Sequence, residues 1–393
     1  MVYGVATLIV DLGNSETRVK TYFGRTQKGN RRSKLSYISN VFSTIEREDD
    51  LQRALGNSEY NGNNSKVFSV NGIKYCNGMI QDSEFNATSF RPTAQDKKYT
   101  SLSTKLSMYC AFMRGYEDIS RWTQTDIESL SVEWNVTVLL PAGDLDLGAE
   151  KLADMIKNLG SLNFEMPNVK KDLNILRVNV LPEGFAALLG VMFQSYGKLR
   201  PGYEQIADKD TYTLIIDIGA GTTDISVAKG GKVISNSRKS VEVGGNNVQV
   251  AVKKMLSKKG LNRIKDTWFR EACETGILRV GVNRLEIFDE INSAKSMVAV
   301  KLVNAIKEFL EENTVDIMDV SYLLVCGGGA VVNEGITELE PIANYITKYL
   351  AEISMGIELI DMPDYEDDGE ILQVSPRLLN IIGASIASEG FMS

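Results

Sequence analysis

Two rhythms of apolar residues run along the chain. Residues 211–216 are a short, β-branched apolar run of strand length, so they are predicted as a strand buried on both faces. Asn135-Val-Thr-Val-Leu-Leu-Pro-Ala142 and Tyr322-Leu-Leu-Val-Cys326 read the same way, and residues 175–180 form a further strand. Elsewhere apolar positions fall at helical spacing. Leu102, Leu106, Tyr109, Cys110 and Met113 predict a core-packed helix, and Ile291, Ala294, Val298, Leu302, Ile306 and Phe309 a long amphipathic one. Helices are also expected over about 147–159 and over the apolar stretch 185–193. Residues 66–75 read as a hairpin turning at Asn71-Gly72. Strands alternating with helices make the fold class α/β with a parallel-containing sheet.

One pattern occurs twice. Tyr212-Thr-Leu-Ile-Ile-Asp-Ile-Gly-Ala-Gly-Thr-Thr-Asp224 is a buried strand ending in Asp217, then a tight turn into a second strand at 225–228. Thr7-Leu-Ile-Val-Asp-Leu-Gly13 repeats residues 213–219 position for position, with only Val/Ile and Leu/Ile exchanges. Glycines let backbone N–H groups approach an anion, and hydroxyls add donors. A carboxylate at the base of such a turn suits a hydrated Mg²⁺ held against phosphate oxygens. A single copy is equally well read as an ordinary tight hairpin. Two copies half a chain apart point to two similar domains facing one ligand.

These turns resemble the phosphate-1 and phosphate-2 motifs of the actin, Hsp70 and sugar-kinase superfamily of ATPases. Tyr322-Leu-Leu-Val-Cys-Gly-Gly-Gly-Ala330 is similar to the superfamily's adenosine motif. Asn179-Val-Leu-Pro-Glu-Gly-Phe-Ala-Ala-Leu-Leu-Gly190 and Leu379-Asn-Ile-Ile-Gly-Ala-Ser-Ile-Ala387 resemble its two connecting helices. All five occur in family order. The resemblance implies a two-domain actin-like ATPase fold: duplicated ribonuclease-H-like domains, small variable subdomains and a central nucleotide cleft. The first domain is expected over 1–197, with a variable subdomain at about 26–96, and is completed by 377–393. The second is expected over 198–376.

By the same resemblance, Asp11 and Asp217 hold Mg²⁺, mostly through water. Gly13, Asn14, Ser15, Thr17, Gly219, Gly221, Thr222 and Thr223 bind the phosphates of ATP, with GTP open. Gly327, Gly328 and Gly329 pack under the adenosine, where a side chain would collide with it. Glu183, at the start of its helix, orders and partly deprotonates the water attacking the γ-phosphate; without the family match it would be an ordinary first-turn carboxylate favoured by the helix dipole. Catalysis is thus assigned to Glu183, Asp217 and Asp11. Arg18 stands where many relatives carry Lys. Val243-Gly-Gly-Asn-Asn-Val248 resembles the step that opens a helix of the second small subdomain; Lys253 and Lys254 follow on that helix, within reach of a nucleotide base or ribose by the resemblance, and are expected to be solvated.

Composition removes alternatives. The 393 residues contain no histidine, which excludes Ser-His-Asp chemistry, Cys-His proteases and histidine-ligated zinc. The net charge of −8 offers no general footprint for nucleic acid, so direct DNA binding is not expected. A local basic run, Lys28-Gly-Asn-Arg-Arg-Ser-Lys34, reads as a solvated loop, as does the Asn/Ser-rich stretch 57–64. Asp361-Met-Pro-Asp-Tyr-Glu-Asp-Asp-Gly-Glu370 is expected to be a solvated acidic loop without calcium spacing. Cys76, Cys110, Cys273 and Cys326 are dispersed, which fits reduced thiols. No apolar run reaches the ~20 residues of a membrane span, and no basic region precedes the first strand, so a cytoplasmic protein is expected.

Three classes share the core. A chaperone is disfavoured because the chain ends within about ten residues of the second connecting helix. A sugar or acetate kinase would carry a substrate insert and a base Asp in the first lobe, and no convincing candidate is present; it remains the alternative. The Gly13-Asn14 turn and the Pro182-Glu183 step resemble plasmid-segregation (ParM-like) actin-like proteins. That resemblance implies nucleotide-dependent homopolymeric filaments, with a DNA-binding adaptor joining them to plasmid or phage DNA.

Overall fold

The computed structural model describes residues 2–13, 16–25, 31–45, 66–77, 89–90, 97–165, 168–194, 197–262, 264, 266–330, 336–354, 356–367 and 370–389. The chain opens with β1 (Val2–Leu12), β2 (Glu16–Arg25) and β3 (Arg31–Ser39), an antiparallel meander. β4 (Phe42–Ile45), β5 (Lys66–Val70), β6 (Ile73–Asn77) and β7 (Ser89–Phe90) belong to a smaller sheet. The predicted hairpin turn joins β5 to β6, with Asn71 at φ 51° and Gly72 at φ 79°, the left-handed pair such a turn requires.

α1 (Leu102–Thr123), capped by Ser101, leads to β8 (Leu130–Leu140) and α2 (Leu145–Lys157). Next come β9 (Ser161–Phe164), β10 (Val169–Asp172), β11 (Asn174–Pro182) and α3 (Glu183–Met192). β9 and β10 extend the small sheet beyond the stretch assigned to it from sequence. The large sheet has the order β11-β8-β1-β2-β3, with β1, β8 and β11 parallel.

The second half repeats this plan. β12 (Tyr212–Ile218), β13 (Thr223–Lys229) and β14 (Lys232–Val241) form the meander. Then follow α4 (Gly245–Lys258), α5 (Asp266–Thr275), the hairpin β15 (Ile277–Val280) and β16 (Asn283–Glu286), and α6 (Phe288–Glu312). β17 (Val320–Cys326), α7 (Ile342–Ala351) and β18 (Glu358–Leu359) complete a sheet ordered β14-β13-β12-β17-β18. A last hairpin, β19 (Asp364–Asp367) and β20 (Glu370–Gln373), precedes α8 (Leu379–Ser388).

Burial explains the uninterrupted apolar strands. Leu8, Ile9 and Val10, like Leu214, Ile215 and Ile216, are fully buried because each sheet is covered on both faces. Leu8 and Val10 pack with Phe112, Tyr116 and Trp134 on one side; Ile9 packs with Ala186 and Ile381 on the other. Leu214 and Ile216 meet the stripe Val298, Leu302 and Ile306 of α6, whereas Ile215 meets Leu188 and Ile382. α3 and α8 therefore lie between the sheets and touch both. They cross at glycines: a Cβ on Gly383 would sit 1.6 Å from the Ala186 carbonyl oxygen. Arg200, where the chain passes between the halves, donates to the carbonyls of Val191 and Phe193 at the end of α3 and of Asp364 on β19.

Two expectations change. Part of the acidic stretch 361–370 pairs as β19 and β20 rather than forming a solvated loop. The reason is Tyr365, only 3% exposed, which joins the core beside Leu379 and Ile382 and has Lys20 5.1 Å from its ring centre. The basic run is not a free patch either. Arg32 donates to the Trp122 carbonyl and Lys34 pairs with Asp118, both on α1, while residues 28–30 lie outside the described residues, as does the 57–64 stretch. Cys76, Cys110 and Cys326 are buried, Cys273 is half-buried, and all four are free thiols.

Candidate functional site

The two Asp-tipped turns face one cleft of about 450 Å³. Asp11, Gly13, Arg18 and Glu183 line it from the first half, and Asp217, Gly219, Thr222, Asp224, Gly327 and Gly328 from the second. The second turn is braced from behind: the Gly245 and Asn246 N–H groups at the start of α4 donate to the Gly219 and Ala220 carbonyls. Its own N–H groups at Ala220 and Thr222, which line the cleft, have no partner among the described residues. Carbonyls bound at the back and unpaired N–H groups at the front make an anion cradle.

Strand register sets the charges. Asp11 faces Arg18 across β1 and β2, and the equivalent pair across β12 and β13 is Asp217 and Asp224. Arg18 binds Asp11 at 2.7 Å, so the first pair is neutralised. The second is two carboxylates side by side, which repel. Asn380, from α8, donates to Asp217 at 2.6 Å. Asp224 keeps one carboxyl oxygen without a hydrogen bond. Burial, then the Asp217 charge, push its pKa up to about 7.

Glu183 starts α3, where Pro182 ends β11 and aims it into the cleft. Its carboxylate binds Lys98 at 2.7 Å, and both side chains are nearly covered. Burial is the main force raising Glu183 to about 8; Lys98 pulls it down, and Asp217, Asp11 and Asp224 push it further up. Lys98 remains a cation because Glu183, Asp11 and Asp224 outweigh its own loss of solvent.

The other residues assigned from sequence are placed as follows. Asn14 and Ser15 lie outside the described residues. The Thr17 hydroxyl donates to Asn40 at 2.9 Å and the Thr223 hydroxyl to the Val243 carbonyl at 2.5 Å; each fastens its turn to the core. Gly221 and Gly329 are not part of the cleft wall. Gly327, at φ 90°, would place a Cβ 2.2 Å from Asp217, so its lack of a side chain already follows from that carboxylate. Lys253 stacks over Phe269 and Lys254 is exposed; neither lines the cleft.

Lys98, Asp224 and Asn380 are among the cleft residues to which the sequence assigned no role. Asp224 was findable, since the spacing that maps Thr17 onto Thr223 maps Arg18 onto it. Lys98 and Asn380 have no such signal, because they reach the site across 85 and 163 positions of sequence.

Among the described residues no three His, Cys, Asp or Glu converge into an all-protein metal cage. The donors that do converge suit Mg²⁺, which keeps several waters and takes one or two carboxylates plus phosphate oxygens. The unpartnered oxygen of buried Asp224 beside Asp217 is what such a cation would offset.

The archaeal actin homologue MreB-like C-terminal family matches residues 215–336. No curated protein matches the sequence. Solved structures match over nearly the whole length. The archaeal actin homolog Ta0583 superposes with a TM-score of 0.65 at 17% identity, covering 98% of this chain and 100% of that one. ParM in a 15-stranded filament from Clostridium botulinum gives 0.61 at 16% identity, with 98% and 99% covered. Bacillus thuringiensis ParM with ATP gives 0.59 at 13% identity, with 99% of each covered. The fold is that of the actin-like ATPases, α/β and two-domain, and is similar to ParM.

Proposed function

We propose that this protein binds a Mg²⁺-nucleoside triphosphate in the cleft, hydrolyses it, and forms homopolymeric filaments whose stability the nucleotide controls. The observation that carries this reading is the facing pair of Asp-tipped turns with Glu183 between them. Two like domains grip one set of phosphates, so loss of the γ-phosphate loosens the grip and changes the angle between lobes and the surfaces they present. Asp217 and Asp224, with Asp11 near, would hold Mg²⁺, which supplies charge neutralisation at the phosphates. The second turn donates N–H groups to the phosphates. Glu183 accepts a proton from the attacking water, and Lys98 sets how readily it does so.

The likeness to filament-forming ParM supports assembly, and the ATP-bound relative supports ATP as ligand, with GTP also to be tested. We assign as cargo plasmid or phage DNA, reached through a DNA-binding adaptor and not by direct contact. Among the described residues no helix is long and apolar enough to cross a membrane. High-speed pelleting with Mg-ATP, Mg-GTP or either nucleotide plus chelator tests the reading. Pelleting that requires both nucleotide and Mg²⁺ supports it. Hydrolysis with no pellet at any concentration contradicts it and points to a small-molecule phosphoryl acceptor.

A further inference from the structure

The β15–β16 hairpin carries an unusual tip. Val282 is 99% exposed, more than any other large apolar side chain among the described residues, and Val280 and Leu285 beside it are also exposed. Arg279 and Arg284 stand directly opposite each other across the two strands, a like-charge pairing that costs a sheet stability. Glu271 binds Arg279 at 3.1 Å, while Arg284 has no ion pair among the described residues. The surrounding sequence, 253–284, holds nine Lys or Arg against three Asp or Glu, in a chain of net charge −8. An apolar tip flanked by Arg279 and Arg284 is poorly suited to water and well suited to an apolar, acidic surface.

Such a surface lies at the other end of the same lobe. α6 begins just after β16 and runs 25 residues, about 37 Å at ~1.5 Å per residue, to Glu312. Past that end, the 3₁₀ turn Ile317–Asp319 leaves Met318 61% exposed. Ser354 donates to the Ile317 carbonyl and so holds exposed Ile353 beside the turn. Residues 308–319 contain five acidic residues and no basic one. Lys239 pairs with Glu312 and Lys229 lies near Asp319, which leaves Glu311, Asp316 and Glu352 as acidic excess.

We propose that the β15–β16 tip of one copy seats on the Met318–Ile353 surface of the next, the longitudinal contact of a polymer of this chain. The occupant is a second copy because the two surfaces match in charge and apolar character, and each copy carries one of each at opposite ends. A contact between unlike surfaces repeats head to tail. The inference rests on the filament reading above and names its interface.

Charge reversal tests it. Arg284→Glu and Glu352→Arg, each alone, are expected to raise the critical concentration for assembly by at least about tenfold, while nucleotide binding stays at the wild-type level and reports a folded protein. An equimolar mixture of the two is expected to assemble, because in alternating order every junction again joins opposite charges. Single variants that assemble like wild type overturn the interface, and so does a mixture that fails to recover. Failure of the wild-type protein to assemble would instead remove the filament reading itself.

Discussion

Lys98→Met offers the sharpest probe of the cleft chemistry. It removes the cation 2.7 Å from Glu183 and leaves that carboxyl among Asp11, Asp217 and Asp224. At an effective dielectric of ~20 the direct attraction is about 6 kcal/mol. Removing one partner of a buried pair costs roughly 3–5 kcal/mol in practice. At about 1.4 kcal/mol per pKa unit, that raises Glu183 by roughly two to three and a half further units. The ionised fraction at pH 7 then falls roughly 10²- to several 10³-fold, within the ~10²–10⁴ a positioned general base contributes. Single-turnover phosphate release from pH 6 to 10 is the assay. The Lys98→Met rate should start that far below wild type and climb about tenfold per pH unit, as a base that must first lose a proton does. Lys98→Arg should recover most of the rate. A Lys98→Met protein with the wild-type rate and pH profile would refute the coupling.

Glu183→Ala should bind nucleotide and assemble normally but release phosphate about 10²–10⁴-fold more slowly, without recovery at high pH; unchanged hydrolysis would remove Glu183 from the mechanism. Stability of the nucleotide-free protein should fall as pH rises. Glu183 and Asp224 are raised in the folded state, to about 8 and about 7, so they bind protons there that the unfolded chain has released above its ordinary carboxylate range. Their contribution is complete below about pH 4 and is lost towards pH 8, so the melting temperature should drop across that range and Asp224→Asn should flatten the slope. Gly383→Ala should destabilise by several kcal/mol, read by denaturant unfolding, because its Cβ would meet the Ala186 carbonyl at 1.6 Å and force α3 and α8 apart.

The strands, their double-sided burial and the duplication were legible because apolar runs and repeats are local properties of sequence. The same locality limits what a turn motif can say. Thr17 and Thr223 read from sequence as phosphate donors, and the fold adds that Asn40 and the Val243 carbonyl accept from their hydroxyls. The acidic composition of 361–370 hid the one residue, Tyr365, whose burial pulls part of that stretch into a hairpin. Lys98 arrives from the edge of a polar stretch, and nothing nearby announces that it will neutralise a carboxylate starting α3. Register also carried meaning that composition did not: opposite Asp11 the chain places a cation, and opposite Asp217 a second acid.

In the proposed function one cleft couples hydrolysis to assembly, and following light scattering and phosphate release together after Mg-ATP is added to the purified protein reads that coupling. Scattering should rise before phosphate appears, then decay as phosphate accumulates, and the decay should be lost in Glu183→Ala. Scattering that is independent of nucleotide, or that persists unchanged after all the nucleotide has been hydrolysed, would contradict the account.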